Sequence, residues 1–226
     1  MKRHIALFIS ALLLGLFAFY GTASAQDFIS KFGALGSGDG QFNSPSHVAI
    51  DAQGNIYITD SLNDRIQKFD PSGKFFLRIG SSGSDDGQLS GPSGIALDGA
   101  GMIYVADTEN DRVQIFDAAG GFLFGFGTLG KAQGQFSHPG AIALDQNGKI
   151  YVLDTGNNRI QVFNRSGGFL RSFGSQGRGD GQFSKPEGIA VSRFGMIYVA
   201  DSSNNRILKF DRNGDFMLKI GSTGTG

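Results

Sequence analysis

The chain contains no cysteine and no tryptophan among its 226 residues, and only five prolines. Without cysteine there is no disulfide framework, no thiolate metal site and no cysteine nucleophile. The same absence does not identify a compartment. An excess of charge of either sign is also missing, since 20 Lys and Arg balance 20 Asp and Glu. Without Lys2 and Arg3 the basic count falls to 18, a net charge of about −2. Nucleic acid is therefore not an expected partner, because its binding needs a basic face that displaces counterions. Beyond Tyr20 there is no long apolar run and no helical 3.6-residue period.

The one long apolar run is N-terminal. Met1-Lys2-Arg3-His4 opens with positive charge, Ile5–Tyr20 supplies 16 apolar or small residues, and Ala23-Ser24-Ala25 fits a small-x-small cleavage site. Together they predict a secretory signal peptide over 1–25, with cleavage before Gln26. A spanning helix prefers roughly 20 apolar residues, more than this run offers. With no cysteine after the run, a lipoprotein anchor is not expected. The mature chain is expected to be secreted or periplasmic, free of the membrane once cleaved.

What the chain has in abundance is glycine, 36 residues, and phenylalanine, 21, arranged in a phrase spoken four times. Its period is 47 residues without insertions, and Tyr57, Tyr104, Tyr151 and Tyr198 sit one period apart. A period of this length is the signature of propellers and related arrays. The copies run over 40–86, 87–133, 134–180 and 181–226, inside one domain at 26–226.

The second copy shows the elements. Gly94–Asp98 is a short apolar strand whose Gly and Ala suit a crowded centre. Asp98-Gly99-Ala100-Gly101 is a turn with glycine where positive φ is needed. Met102–Asp107 is a β-branched and aromatic strand. Thr108–Asp111 is a polar turn, and Arg112–Asp117 alternates polar with apolar, which predicts one buried and one partly wet face. After a second D-x-x-G turn, Phe122–Gly127 is the fourth strand. Each unit is thus an antiparallel meander of four strands, smallest at its inner edge, as a propeller blade requires. So small a sheet cannot bury both faces alone and must stack on its neighbours. The Gly-rich connectors, such as Gly36–Gly40 and Gly177–Gly181, lack the Lys-Ser/Thr of a phosphate loop and read as flexible inter-blade turns.

The phrase P-x-G-I-A-[LV]-D, G-x-I-Y-[VI]-x-D, N-[ND]-R-[IV]-Q-x-F-[DN], G-x-F-x-x-x-[FI]-G resembles the NHL repeat from Phe28 to the C-terminus. The resemblance implies an all-β propeller, usually of six blades. Such repeats occur in secreted bacterial proteins, in sensor domains of receptor kinases, in RNA- and protein-binding domains of animal ubiquitin ligases and in a peptide-amidating lyase. The fold carries over and the activity does not, because one fold hosts unrelated sites. Two departures stand out. Only four complete copies are present, an incomplete ring against six. Phe28–Gly33 also reads as an additional outer strand, although Phe216–Gly221 already supplies one to the last copy. Four blades could close a tight ring. An open arc would expose two apolar blade faces and should dimerise or aggregate, a homo-oligomer in the first case.

A D-x-x-N-x-R element recurs as Asp60, Asn63 and Arg65; Asp107, Asn110 and Arg112; Asp154, Asn157 and Arg159; and Asp201, Asn204 and Arg206. A catalytic group is needed once, whereas a structural one is needed in every blade, so these residues read as structural. The alternative is a ring of Arg or Asp lining one face for charged ligands. Residues that break the repeat are better candidates for binding. His47 stands where other copies have Gly94, Ala141 and Gly188. His138 replaces Ser44, Gly91 and Lys185, and Glu187 replaces Ser46, Ser93 and Gly140. All three flank the proline that opens the innermost strand, near one channel mouth. The motifs call for no cofactor and no catalytic residue. A Ca or Zn ion on the His47, His138 and Glu187 set is the alternative, short of the third His that a zinc-dependent lyase would want. The expected function is an exported binding module or interaction scaffold for a protein, peptide or cell-envelope glycan. The alternative is a divergent lyase or lactonase-type hydrolase with a channel-mouth metal, and a third reading is a structural array without a ligand.

Overall fold

The computed structural model describes residues 31–221, and the leader expected at 1–25 lies outside them. Sixteen strands form four antiparallel sheets, each a meander in sequence order. Blade 1 holds β1 (Pro45–Ile50), β2 (Ile56–Asp60), β3 (Arg65–Phe69) and β4 (Phe75–Ile79). Blade 2 holds β5 (Pro92–Leu97), β6 (Ile103–Asp107), β7 (Arg112–Phe116) and β8 (Phe122–Phe126). Blade 3 holds β9 (Pro139–Leu144), β10 (Ile150–Asp154), β11 (Arg159–Phe163) and β12 (Phe169–Phe173). Blade 4 holds β13 (Pro186–Val191), β14 (Ile197–Asp201), β15 (Arg206–Phe210) and β16 (Phe216–Ile220). The polar turn between second and third strands is one turn of 3-10 helix, as over Thr108–Asn110, closed by a left-handed residue, Asp111 at φ 52°.

The innermost strands pack in series, β1 on β5, β5 on β9 and β9 on β13. Their small residues permit the approach: a Cβ on Gly94 would lie 2.6 Å from the Ala141 Cα. Three apolar clusters fill the three junctions. Tyr57, Ile66 and Ile79 of blade 1 meet Ile95, Ile103 and Val105 of blade 2. Tyr104 and Val113 meet Ile142, Ile150 and Val152. Tyr151 and Ile160 meet Ile197 and Val199. No comparable packing or cluster joins β13 back to β1 among the described residues. The blades form an open arc.

The arc corrects one expectation. The alternation in the third strand predicted a half-wet sheet, yet every residue of β3 is buried and β7 and β11 are buried from their second residue onward. Blades 2 and 3 lose both faces to a neighbour on each side, and β3 of blade 1 is covered by its own leading segment, where Phe32 and Phe42 rest on Phe69 and the Gln41 carbonyl accepts from Gln67. Gln114, on the polar side of that alternation, is fully buried because its amide donates to the Gln88 carbonyl and the Asp107 carboxylate. Only in blade 4 does the third strand, β15, alternate, because Ile207 lies on the face that Ile66 of blade 1 turns to a following blade.

The connectors are likewise pinned rather than slack. In blade 2, the Phe136 ring that anchors the following connector is completely buried, and it fits only because Gly127, at φ 102°, has no side chain. A Cβ there would sit 2.5 Å from that ring. Of the additional strand expected over Phe28–Gly33, residues 28–30 lie outside the described part. Lys31–Gly33 are irregular, and Phe32 rests on Phe69 with ring centroids 5.0 Å apart.

Ile95 and Val48 occupy the same repeat position but are 6% and 62% exposed. Ile95→Ala is expected to cost about 2–4 kcal/mol, the range for emptying a packed aliphatic site. Val48→Ala should cost under about 0.5 kcal/mol. Denaturant unfolding of both variants measures the difference.

Candidate functional site

Every second strand ends on an aspartate that the fold consumes. The Asp107 carboxylate is fully buried. It accepts from Arg112 Nε at 2.7 Å, Asn110 Nδ2 at 3.0 Å, Gln114 Nε2 at 2.9 Å and the Ser90 amide at 2.7 Å. Arg112 donates from Nη2 to the Asp85 and Gln88 carbonyls, both at 2.9 Å. The same set recurs around Asp60 with Arg65 and Asp154 with Arg159, and around Asp201 with Arg206 it recurs without the glutamine, whose place Leu208 takes. Arg65, for example, holds the carbonyls of Ser37, Gly38 and Gln41 in the connector. A buried carboxylate needs a counter-charge and filled lone pairs, and here it has both. These side chains tie strand, 3-10 turn and connector together and are unavailable to a ligand.

The repeat-breaking residues lie on the same end of the blades, where inner strands begin and connectors arrive. His138 is held at φ 49°, and its amide donates to Asp111 Oδ1 of blade 2 at 2.7 Å. Its imidazole Nε2 lies 3.7 Å from Glu109 Oε2, with the two side chains 57% and 59% exposed. So exposed a pair contributes little to stability and is free to contact a partner. Glu187 is exposed on β13. His47 is half-buried on β1, and its Nδ1 is buried with no hydrogen-bond partner. Burial pushes its pKa down.

The structure does not bring these three together. His47 is on blade 1, His138 on blade 3 and Glu187 on blade 4, with blade 2 between the first two. Among the described residues no group of three or more His, Asp or Glu is placed to hold a metal ion. Glu109 was not singled out in the sequence although it also breaks its column, standing where other copies have Leu62, Gly156 and Ser203. Comparing the 3-10 turns as well as the strands would have found it.

The opposite end carries a second polar region. A cleft of about 370 Å³ between blades 1 and 2 is lined by Asp51, Tyr57, Lys68 and Asp98. The Lys68 ammonium lies 4.9 Å over the Tyr57 ring and 5.3 Å over Phe76. Asp98 pairs with Arg165 of blade 3. Burial alone would raise the Asp98 pKa, but the Met102 amide and Arg165 outweigh it and hold the carboxyl below its usual range.

Two outcomes follow from these environments. Arg159→Leu leaves the fully buried Asp154 without its cation and is expected to cost about 3–5 kcal/mol in denaturant unfolding. His47 binds its proton less readily folded than unfolded. Its contribution is therefore present above the unfolded value of about 6.5 and is lost as pH falls through the lowered folded value. The melting temperature should drop on acidification across this window, and His47→Ala should flatten that slope.

Comparison with known proteins places the arc. The NHL repeat model matches residues 42–69 and 89–116, and a family described as a 6-bladed beta-propeller matches 135–214. The B-box type zinc finger protein ncl-1 of Caenorhabditis elegans is 51% identical over 45 residues, 20% of this chain and 5% of that protein. Protein brain tumor of Drosophila melanogaster is also 51% identical over 45 residues, 20% of this chain and 4% of that one. Among solved structures, virginiamycin B lyase from Staphylococcus aureus superposes with a TM-score of 0.62 at 17% identity, covering 79% of this chain and 55% of the lyase. A gluconolactonase from Xanthomonas campestris gives 0.61 at 21% identity, covering 80% and 63%. A nidogen/laminin complex gives 0.60 at 22%, covering 80% and 64%. The chain thus spans a small part of the curated relatives and 55–64% of these solved chains. At such identities the structures show a shared fold alone.

Proposed function

We propose that this chain, which belongs to the NHL-repeat β-propeller family, is an exported recognition module. Its connector end presents Glu109, His138 and Glu187 to a protein or peptide partner. The observation that carries this reading is a division of labour among polar groups. Those that repeat are buried and bonded within the arc, as Asp107 and Arg112 are. Of those that break the repeat at this end, Glu109, His138 and Glu187 are exposed, while His47 is half-buried. Recognition needs such unspent side chains on a rigid support. Export rests on the leader at 1–25.

Bond chemistry is the second reading, prompted by the fold shared with a lyase and a gluconolactonase. It would need convergent acid, base or metal-binding groups, and the separated His47, His138 and Glu187 do not supply them. Binding of a cell-envelope glycan draws no specific support from these residues.

Immobilised mature chain, Gln26–Gly226, is expected to retain a discrete envelope protein or peptide. Replacing Glu109, His138 and Glu187 together by Ala should weaken that affinity by about tenfold or more. Replacing Lys68 and Arg165 at the opposite end should leave it unchanged. Affinity that follows Lys68 and Arg165 instead, or turnover of a lactone by the purified chain, would overturn the reading.

A further inference from the structure

We infer that the open arc associates head to tail with a second copy of itself, blade 4 of one chain docking on blade 1 of the next. The inference concerns the blade faces and is independent of what the connector end recognises.

The two uncovered faces are the two halves of a junction the chain already builds three times. At each internal junction the leading blade presents a Tyr and a β-branched residue from its second and third strands. The following blade presents aliphatic residues from its first and second strands. Blade 4 has the leading set without a follower: Ile207, Leu218 and Ile220 are 37%, 40% and 54% exposed, whereas Ile66 and Ile79, one blade position equivalent, are 0% and 1%. Blade 1 has the following set without a leader: Val48 and Ile50 are 62% and 65% exposed, whereas Ile95 and Ile142 are 6%. A surface of this kind on both ends of one molecule marks an association site. Because the two faces differ, the contact is heterologous.

The polar pins of the junction are also duplicated. Asp64, Asp111 and Asn158 each accept the amide of a residue in the next blade, from Gly91 at 2.8 Å, His138 at 2.7 Å and Lys185 at 2.9 Å. Ser61, Thr108 and Thr155 each donate a hydroxyl to the carbonyl of the next blade's proline, at 2.6, 2.9 and 3.0 Å. Asn205 and Ser202 hold these positions in blade 4. Ser44, left-handed like His138 and Lys185, and Pro45 hold the receiving positions in blade 1. None of the four makes its inter-blade bond among the described residues. In the docked pair, the Ser44 amide donates to Asn205 of the neighbouring copy and Ser202 donates to the Pro45 carbonyl.

One residue opposes the contact. Phe32 lies four repeats before Ile220 and occupies, on Phe69, the place that Ile220 takes in the docked pair. It is 40% exposed, so it covers blade 1 incompletely. Association must displace Phe32, and its removal should favour association.

Light scattering on a sizing column tests this with the mature chain from low to high micromolar concentration. The expected result is a mass that rises with concentration beyond the monomer. Val48→Glu and Ile207→Glu, both at exposed positions that spare the fold, should each be monomeric. An equimolar mixture of the two should form a 1:1 pair, because the intact blade 4 of the first meets the intact blade 1 of the second. Asn205→Ala should weaken association by about threefold to tenfold, the loss of one hydrogen bond. Phe32→Ala should strengthen it. A native chain that stays monomeric throughout overturns the inference. So does a mixture that stays monomeric, or association that Val48→Glu and Ile207→Glu leave intact. Circular dichroism and melting of each variant separate loss of contact from loss of fold.

Discussion

Everything in this protein depends on the fact that a four-stranded blade has two apolar faces and can bury neither by itself. Tyr104 and Val113 have no use in isolation; they are covered because Ile142, Ile150 and Val152 arrive with the next blade. Stacking therefore supplies most of the hydrophobic driving force, and each blade is stable only in company. Blades 2 and 3 are sealed on both sides. Blades 1 and 4 are sealed on one, which leaves aliphatic side chains such as Ile50 and Ile220 in water.

A second constraint works within each blade. The aspartate at the end of the second strand is buried, so it must be paired, and the groups that pair it set the local geometry. Arg112 and Asn110 come to Asp107 from the third strand and the 3-10 turn, and Arg112 then reaches the connector carbonyls. One carboxylate thereby fixes three segments. It also explains why function has to be sought elsewhere, since a carboxylate with this many donors has no lone pair left for a substrate. Residues outside the repeat code, Glu109, His138 and Glu187, carry no such duty and remain available.

The fold was legible because its causes are local and said four times. Ile103–Asp107 reads as a strand from its own β-branched and aromatic content, and the D-x-x-G turns from their own glycines. The shared end on which His47, His138 and Glu187 lie could be read from their common position beside the inner-strand proline. Their separation could not, because it depends on blades 1 and 3 being held apart by blade 2. The same limit explains the third strand. Gln114 alternates with apolar neighbours like a wet residue, and only contact with Gln88 and Asp107 shows it to be dry. The Lys68 cleft and the Arg165 to Asp98 pair depend on groups from different blades meeting, which no single repeat records.

By itself the sequence determined the blade: its four strands, its turns, its polar pins and the obligation to stack. These follow from side-chain chemistry within one 47-residue unit and from the identity of successive units. The tertiary structure alone decided that four blades leave an open arc rather than a closed ring. That outcome rests on how each blade packs on the next, β1 on β5, β5 on β9 and β9 on β13, with no comparable packing of β13 on β1 among the described residues. No single residue encodes that arrangement, because it is set jointly by the side chains that meet across each junction, and at the two ends it leaves Val48 and Ile50 on one face and Ile207 and Ile220 on the other exposed.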